Sequence, residues 1–222
     1  MERIFLNGCS FSTDRKKTAG VLTFPGKIVA DYFTVPLHTL ASAGRGNRRI
    51  ATTTQIWLAQ NPNFLKGVYA IIQWSTPNRR DYTISKEINR EGQTLKWKSW
   101  KIHEEKEFMK KKNQWDLETE LTLHSLENIL VLQYLFQSLK IPYVMYEGLD
   151  CCLTSTHEDV KSLLNQIDWQ RWFRPKINQM DLCKKNSWVC SPSDPHPNTQ
   201  GQEEWGEALL QWIIKDIEKQ GI

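Results

Sequence analysis

One stretch limits what this chain can fold into more than any other: Val68-Tyr69-Ala70-Ile71-Ile72-Gln73-Trp74. A strand with one wet face alternates apolar and polar side chains. This run is apolar nearly throughout, as parallel strands are when helices cover both faces of the sheet. Parallel neighbours cannot be joined by tight turns and need crossovers, usually helices. The sequence on either side has that rhythm. Residues 3–7 predict a first buried strand, 24–33 a short helix with Pro25 in its first turn, and 35–41 a second strand. Residues 47–60 predict a helix that Asn61-Pro62-Asn63 closes before the central run. Beyond it, 116–140 predicts the longest helix, with Asp116 as its N-cap, and 141–147 a fourth strand. A helix over 157–167 and a last one from 199 or 200 to 219 complete the set. Residues 13–23 read as a surface loop and 174–192 as irregular. The alternation predicts an α/β fold of three layers, α/β/α, around a parallel sheet of about five strands.

The rhythm breaks over 83–115, a lysine-rich stretch with Trp97, Trp100 and Trp115 between the charges. It reads as an insertion over the sheet edge, either a lid or extended hairpin or a solvated surface excursion. At 222 residues the chain is expected to form one domain, 1–222, carrying that insertion. No apolar run is long enough to span a membrane and the N-terminus lacks a signal-peptide pattern, so the expected location is the cytoplasm. Five cysteines, of which Cys151 and Cys152 are adjacent, make a poor disulfide framework and fit a reducing compartment. The spacings of Cys151, Cys152, Cys183 and Cys190 match no zinc pattern, and neither a metal nor another cofactor is expected. A net charge of +4 is too mild to require nucleic acid as a partner. Ten tryptophans are many for this length; such residues serve in cores and interfaces, and some can form stacking platforms for sugars.

The residues that carry chemistry stand at the two ends of the chain. Asn7-Gly8-Cys9-Ser10 follows the first strand, so Ser10 presents a hydroxyl at the carboxyl edge of the sheet, where ligands bind in open α/β folds. A serine is a weak nucleophile until a base takes its proton, and the base needs an orienting partner. Asp194-Pro195-His196 can supply both, with the carboxylate on one side of the imidazole and the far nitrogen left for Ser10. Gly44, in the turn after the second strand, can donate a backbone N–H to an oxyanion. Asn47 can donate its amide there or cap the helix that follows. The end of the central strand offers Ser75, Asn78 and two arginines. Cys9, beside Ser10, is either a rival nucleophile or a small residue buried in a tight turn. Arg45, Arg48, Arg49, Arg79 and Arg80 either line one rim of the cleft, which favours an anionic substrate, or form a solvated basic face.

The order of these blocks resembles the SGNH hydrolase family, the GDSL esterases and lipases. Gly8-Cys9-Ser10 stands where that family carries Gly-Asp-Ser, Gly44 stands for its oxyanion glycine, and Asp194, His196, Pro197, Asn198 and Gly201 match its last block. Asn7-Gly8-Cys9-Ser10-Phe11, taken with Ala41 to Ile50, is similar to a branch of uncharacterised SGNH-like proteins, many encoded by tailed phages. The sequence departs from the family in two places: Cys9 replaces an aspartate, and Gln73-Trp74-Ser75 stands where Gly-x-Asn-Asp would supply an oxyanion asparagine. The resemblance implies an esterase acting by a Ser-His-Asp mechanism on a small-molecule or glycan ester, with an O-acyl group on a carbohydrate as the narrower substrate. It implies Ser10, His196 and Asp194 as catalytic residues, and Gly44, Asn47, Ser75 and Asn78 as candidates around the oxyanion. The other expectation is an SGNH-like module that binds without catalysis or serves as a virion-associated structural protein.

Overall fold

The structure is a computed structural model that describes residues 1–89, 92–101, 114–151, 153, 157–174 and 177–221. The chain enters through β1 (Arg3–Asn7), a one-turn α1 (Lys16–Ala19), α2 (Pro25–Phe33), β2 (Leu37–Thr39), α3 (Asn47–Gln60) and β3 (Val68–Trp74). A hairpin of β4 (Arg79–Asn89) and β5 (Gly92–Lys101) follows, then the long α4 (Gln114–Ser138), β6 (Tyr143–Glu147) and α5 (Glu158–Leu164). The chain ends with α6 (Gln179–Lys185), β7 (Val189–Ser191), β8 (Asp194–Pro197) and α7 (Thr199–Gln220).

Four parallel strands form the central sheet in the order β2-β1-β3-β6, with Ile4 beside both Leu37 and Tyr69, and Ile71 beside Val144. All seven residues of β3 are buried, and its side chains divide by the period of two. Ala70, Ile72 and Trp74 join Phe5 and Met145 under α3 and α4, against Ile50, Trp57, Leu126 and Phe136. Tyr69 and Ile71 join Ile4, Leu6 and Val144 under α2 and α7, against Val29, Trp205, Leu209 and Ile213. The helix pairs therefore make the two outer layers. Chain order reverses between β1 and β3, and a ligand crevice opens outside the carboxyl ends of strands at such a switch point. No helix among the described residues is long and apolar enough to cross a membrane.

Several elements differ from expectation. Among the described residues the sheet has four strands, where about five were expected. Trp172 forms a single parallel bridge to Met145, and Phe173 N–H donates to Met145 O at 2.8 Å, so this segment starts a fifth strand beside β6. Arg174 then turns left-handed, at φ 50°. Residues 174–192 are not irregular throughout. They hold α6, whose first turn is capped by Asn178 Oδ1 accepting from Asp181 N–H, and β7. Residues 13–23 include α1 and a bridge between Arg15 and Val21, and Val21 is buried. Helix α4 begins at Gln114, so Asp116 lies in its first turn and is not its cap. The stretch expected as an insertion is an antiparallel hairpin that already begins at Arg79, with a bulge between Thr83 and Ser85; residues 102–113 lie outside the described residues. Trp57, Trp74, Trp172 and Trp205 are core residues, while Trp169 is exposed.

Candidate active site

Strand β1 delivers Asn7 to the carboxyl edge, and its amide is fully used. Nδ2 donates to Ile50 O, Thr53 Oγ1 and Thr54 Oγ1 of α3, while Oδ1 accepts from Gly8 N–H and from Arg45 Nη1. Gly8 has no room for a side chain: a Cβ there would come within 2.8 Å of Gln73 Cβ and Oε1. Gln73 Oε1 accepts from Cys9 N–H at 3.1 Å, and its Nε2 donates to Trp74 O and Cys9 Sγ. This one buried amide fixes the turn from β1 into the helical turn Ser10–Ser12. Cys9 is fully buried, and Ser12 Oγ is held by Tyr146 OH at 2.9 Å.

The other half arrives on the β7–β8 hairpin. Asp194 and His196 are two residues apart on β8, so their side chains lie on one face. Asp194 Oδ1 accepts from His196 Nδ1–H at 2.6 Å, which fixes the tautomer and leaves Nε2 as an acceptor. Nε2 lies 2.8 Å from Ser10 Oγ. The Phe11 ring packs on the imidazole with centroids 4.9 Å apart. Helix α7 docks the hairpin onto this turn. Asn198 caps α7 through Gly201 N–H, and Gln202 Nε2 donates to Phe11 O. A Cβ on Gly201 would meet Trp188 O at 2.6 Å, so glycine is required where the helix passes β7.

Arg15 completes the cluster. Its Nη1 donates to both oxygens of Asp194, at 3.2 and 2.9 Å. Burial pushes the His196 imidazole below its usual value; the charges of Arg15 and Arg79 push the same way, against the pull of Asp194. The ring is thus a neutral base at neutral pH. Partial burial pulls the Asp194 carboxyl up, but hydrogen bonds from His196 and Arg15 outweigh it and hold the group below its usual range.

The segment after β2 continues beside β1: Leu40 N–H donates to Leu6 O at 2.8 Å and Ser42 N–H to Gly8 O at 3.1 Å. Two residues on, Gly44 adopts φ 76°, a left-handed conformation that favours glycine. The N–H groups of Ser10 and Gly44 make no hydrogen bond among the described residues. Asn47 neither caps α3, a position Gly46 takes, nor offers a free amide. Its Nδ2 donates to Ser75 O and Ser125 Oγ, and its Oδ1 accepts from Ser75 N–H at 2.7 Å. Asn47 is a latch joining α3, the end of β3 and α4. The Ser75 backbone is consumed by that latch, and its Oγ is buried without a partner among the described residues. Asn78 is exposed in the turn between β3 and β4.

The five arginines do not share one environment. Arg45 Nη1 bonds Asn7 Oδ1 and Thr53 Oγ1, and burial, with Arg49 nearby, pushes its pKa down to about 10. Arg49 N–H donates to Asp81, and Arg80 pairs with Glu120 at 3.2 Å. Gln73 and Arg15 are the two residues that sequence reasoning missed. Gln73 had a signal, as the one polar side chain in a buried run, because a buried amide must find partners. Arg15 had none. Among the described residues, no group of three or more His, Cys, Asp or Glu is placed to hold a metal ion.

The site thus holds a hydroxyl, a neutral imidazole and a carboxylate in line, with the Ser10 N–H making no hydrogen bond among the described residues. No protein-family model matches the chain, and no curated protein matches it. Among solved structures the chain is similar to the psychrotrophic esterase EstA from Pseudoalteromonas sp., in a structure inhibited by monoethylphosphonate. The two are 12% identical with a TM-score of 0.55, over 98% of this chain and 100% of the other. The likeness is one of fold, an α/β architecture with a central parallel sheet flanked by helices.

Proposed function

We propose that this chain is a serine hydrolase that cleaves carboxylic esters, with Ser10 as nucleophile, His196 as general base and acid, and Asp194 as the group that orients the imidazole. The observation that carries the reading is the relay itself: 2.8 Å from Ser10 Oγ to His196 Nε2, and 2.6 Å from Nδ1 to Asp194. His196 Nε2 takes the Ser10 proton as Oγ attacks the ester carbonyl. The tetrahedral oxyanion is met by the N–H groups of Ser10 and Gly44, whose fixed dipoles need no reorganisation. The imidazolium, stabilised by Asp194, gives its proton to the leaving alcohol. A water then repeats the sequence on the acyl-Ser10 ester and restores the hydroxyl. Arg15 acts through Asp194 as a positioning residue. The narrower substrate we propose, an O-acyl group on a carbohydrate, is supported by the breadth of the family that the sequence blocks resemble.

One observation favours the second reading, a binding or virion-associated module without catalysis: the Asn47 amide is spent on Ser75 and Ser125 and is thereby withdrawn from the oxyanion. Labelling with a fluorophosphonate probe, with the adduct located by mass spectrometry, separates the two. The hydrolase reading expects an adduct on Ser10 and turnover of 4-nitrophenyl acetate that falls by roughly a thousandfold or more in Ser10→Ala. Absence of both in the wild type selects the binding module.

A further inference from the structure

A cavity of about 580 Å³ lies between the start of α3, the start of β4 and the first half of α4. That is enough for a small ring or a short chain with its substituents. Its lining includes Arg48, Arg79 and Arg80 and the acidic residues Asp81 and Glu127. The carboxylates are engaged. Asp81 accepts from Gly46 N–H and Arg49 N–H at the start of α3, and Glu127 Oε2 lies 3.1 Å from His124 Nδ1. Arg80 is paired with Glu120. Arg48 and Arg79 therefore face the cavity with no carboxylate partner among the described residues.

Arg79 also ties this cavity to the reacting end. Its Nη1 donates to Arg45 O at 3.4 Å, the carbonyl next in sequence to Gly44. The same positive charge is felt at His196. A guanidinium that lines the cavity thus rests on the loop that carries the candidate oxyanion donor.

We propose that this cavity is a subsite for an anionic group on the ester substrate, a carboxylate or a similar anion on its acyl or alcohol part, held by Arg48 and Arg79. The inference rests on the ester-hydrolase reading. Guanidinium groups suit it because their planar forks bond carboxylate-like anions in pairs. Neutral esters lack the charge that would replace the water around both guanidiniums.

The test compares matched esters. For the alcohol side, 3-carboxy-4-nitrophenyl butyrate is set against 4-nitrophenyl butyrate; for the acyl side, mono-4-nitrophenyl succinate is set against the same neutral ester. The wild type is expected to prefer one anionic ester by kcat/KM, and the preferred arm assigns the side. That anionic-to-neutral ratio is expected to fall roughly tenfold in Arg79→Met and in Arg48→Met, the scale of a lost charge-assisted hydrogen bond. Added salt should lower the ratio too. No preference in the wild type, or a ratio unchanged in both variants, overturns the subsite. If the wild type hydrolyses none of these esters, the hydrolase reading fails, and calorimetry on Ser10→Ala then reads the subsite alone. Saturable binding of 5-hydroxy-2-nitrobenzoate or succinate that weakens in the Arg79→Met background supports it. No saturable binding of either anion overturns it.

Discussion

Replacing Glu147 by glutamine should stabilise the protein, and only above mildly acidic pH. Glu147 ends β6, beside Trp74, with 9% of its surface exposed. Its Oε2 accepts a single backbone N–H, from Cys151 at 3.2 Å. Burial pushes its pKa from 4.5 to about 7; Asp150 and Asp181 add to the rise and the Cys151 bond opposes it. Between those two values the folded chain keeps a proton that the unfolded chain releases. Stability from this group is therefore full below 4.5 and is lost as pH rises through about 7. A displacement of that size corresponds to about 3 kcal/mol. An amide has the shape of the protonated acid and no charge to desolvate. Glu147→Gln should thus match the wild type near pH 5 to within about 1 kcal/mol and exceed it by about 2–3 kcal/mol near pH 8. Urea unfolding, followed by tryptophan fluorescence across that range, measures the difference, and subtracting the two curves removes the titration of other groups. A difference that stays flat with pH would refute the reasoning, because Glu147 would then ionise in the fold as readily as in the unfolded chain.

Arg15→Met should make His196 easier to protonate, since a cation that lowers its pKa is gone; the acid limb of the kcat/KM profile should move to higher pH, and kcat should fall roughly tenfold as Asp194 loses its anchor. An unmoved limb would show that Arg15 serves folding alone. Asn47→Ala leaves the Ser75 N–H buried and unpaired and its C=O with the Cys151 thiol alone among the described residues, so denaturant midpoints should report a loss of about 2 kcal/mol or more; lost turnover at unchanged stability would instead return Asn47 to the oxyanion. Gly148→Ala places a Cβ on Gln73 Nε2, which must swing away and release Cys9 N–H; ester turnover should drop by more than roughly tenfold, and full activity would count against Gln73 as the brace of the Ser10 turn.

The central strand was legible to the residue because cover on both faces leaves an uninterrupted apolar run that few alternatives fit. Ser10, Asp194 and His196 were readable because their blocks sit beside recognisable element ends. Asn47 was not, since an amide can cap, donate or latch, and the choice depends on Ser125, 78 positions away. Arg15 sits in a polar stretch that looks solvated until the hairpin from the far end of the chain is laid against it. Beside β6 the described residues hold a single bridge at Trp172 rather than a strand, and the left-handed Arg174 that follows is a feature no apolar pattern records.

The β7–β8 hairpin separates two kinds of accuracy. Asp194 and His196 are fixed relative to each other by adjacent positions on one strand, so their pairing survives as long as that short strand does. The reach to Ser10 depends instead on α7 staying seated, through Asn198, Gln202 and the glycine at 201. Heat or mild denaturant that loosens the first turn of the C-terminal helix, where those contacts sit, would therefore part base from nucleophile while the core under Leu209 and Ile213 still holds the sheet. Loss of activity should run ahead of loss of fold, and a clamp between α7 and the turn at Phe11 would lengthen the working life of the site without adding to the core.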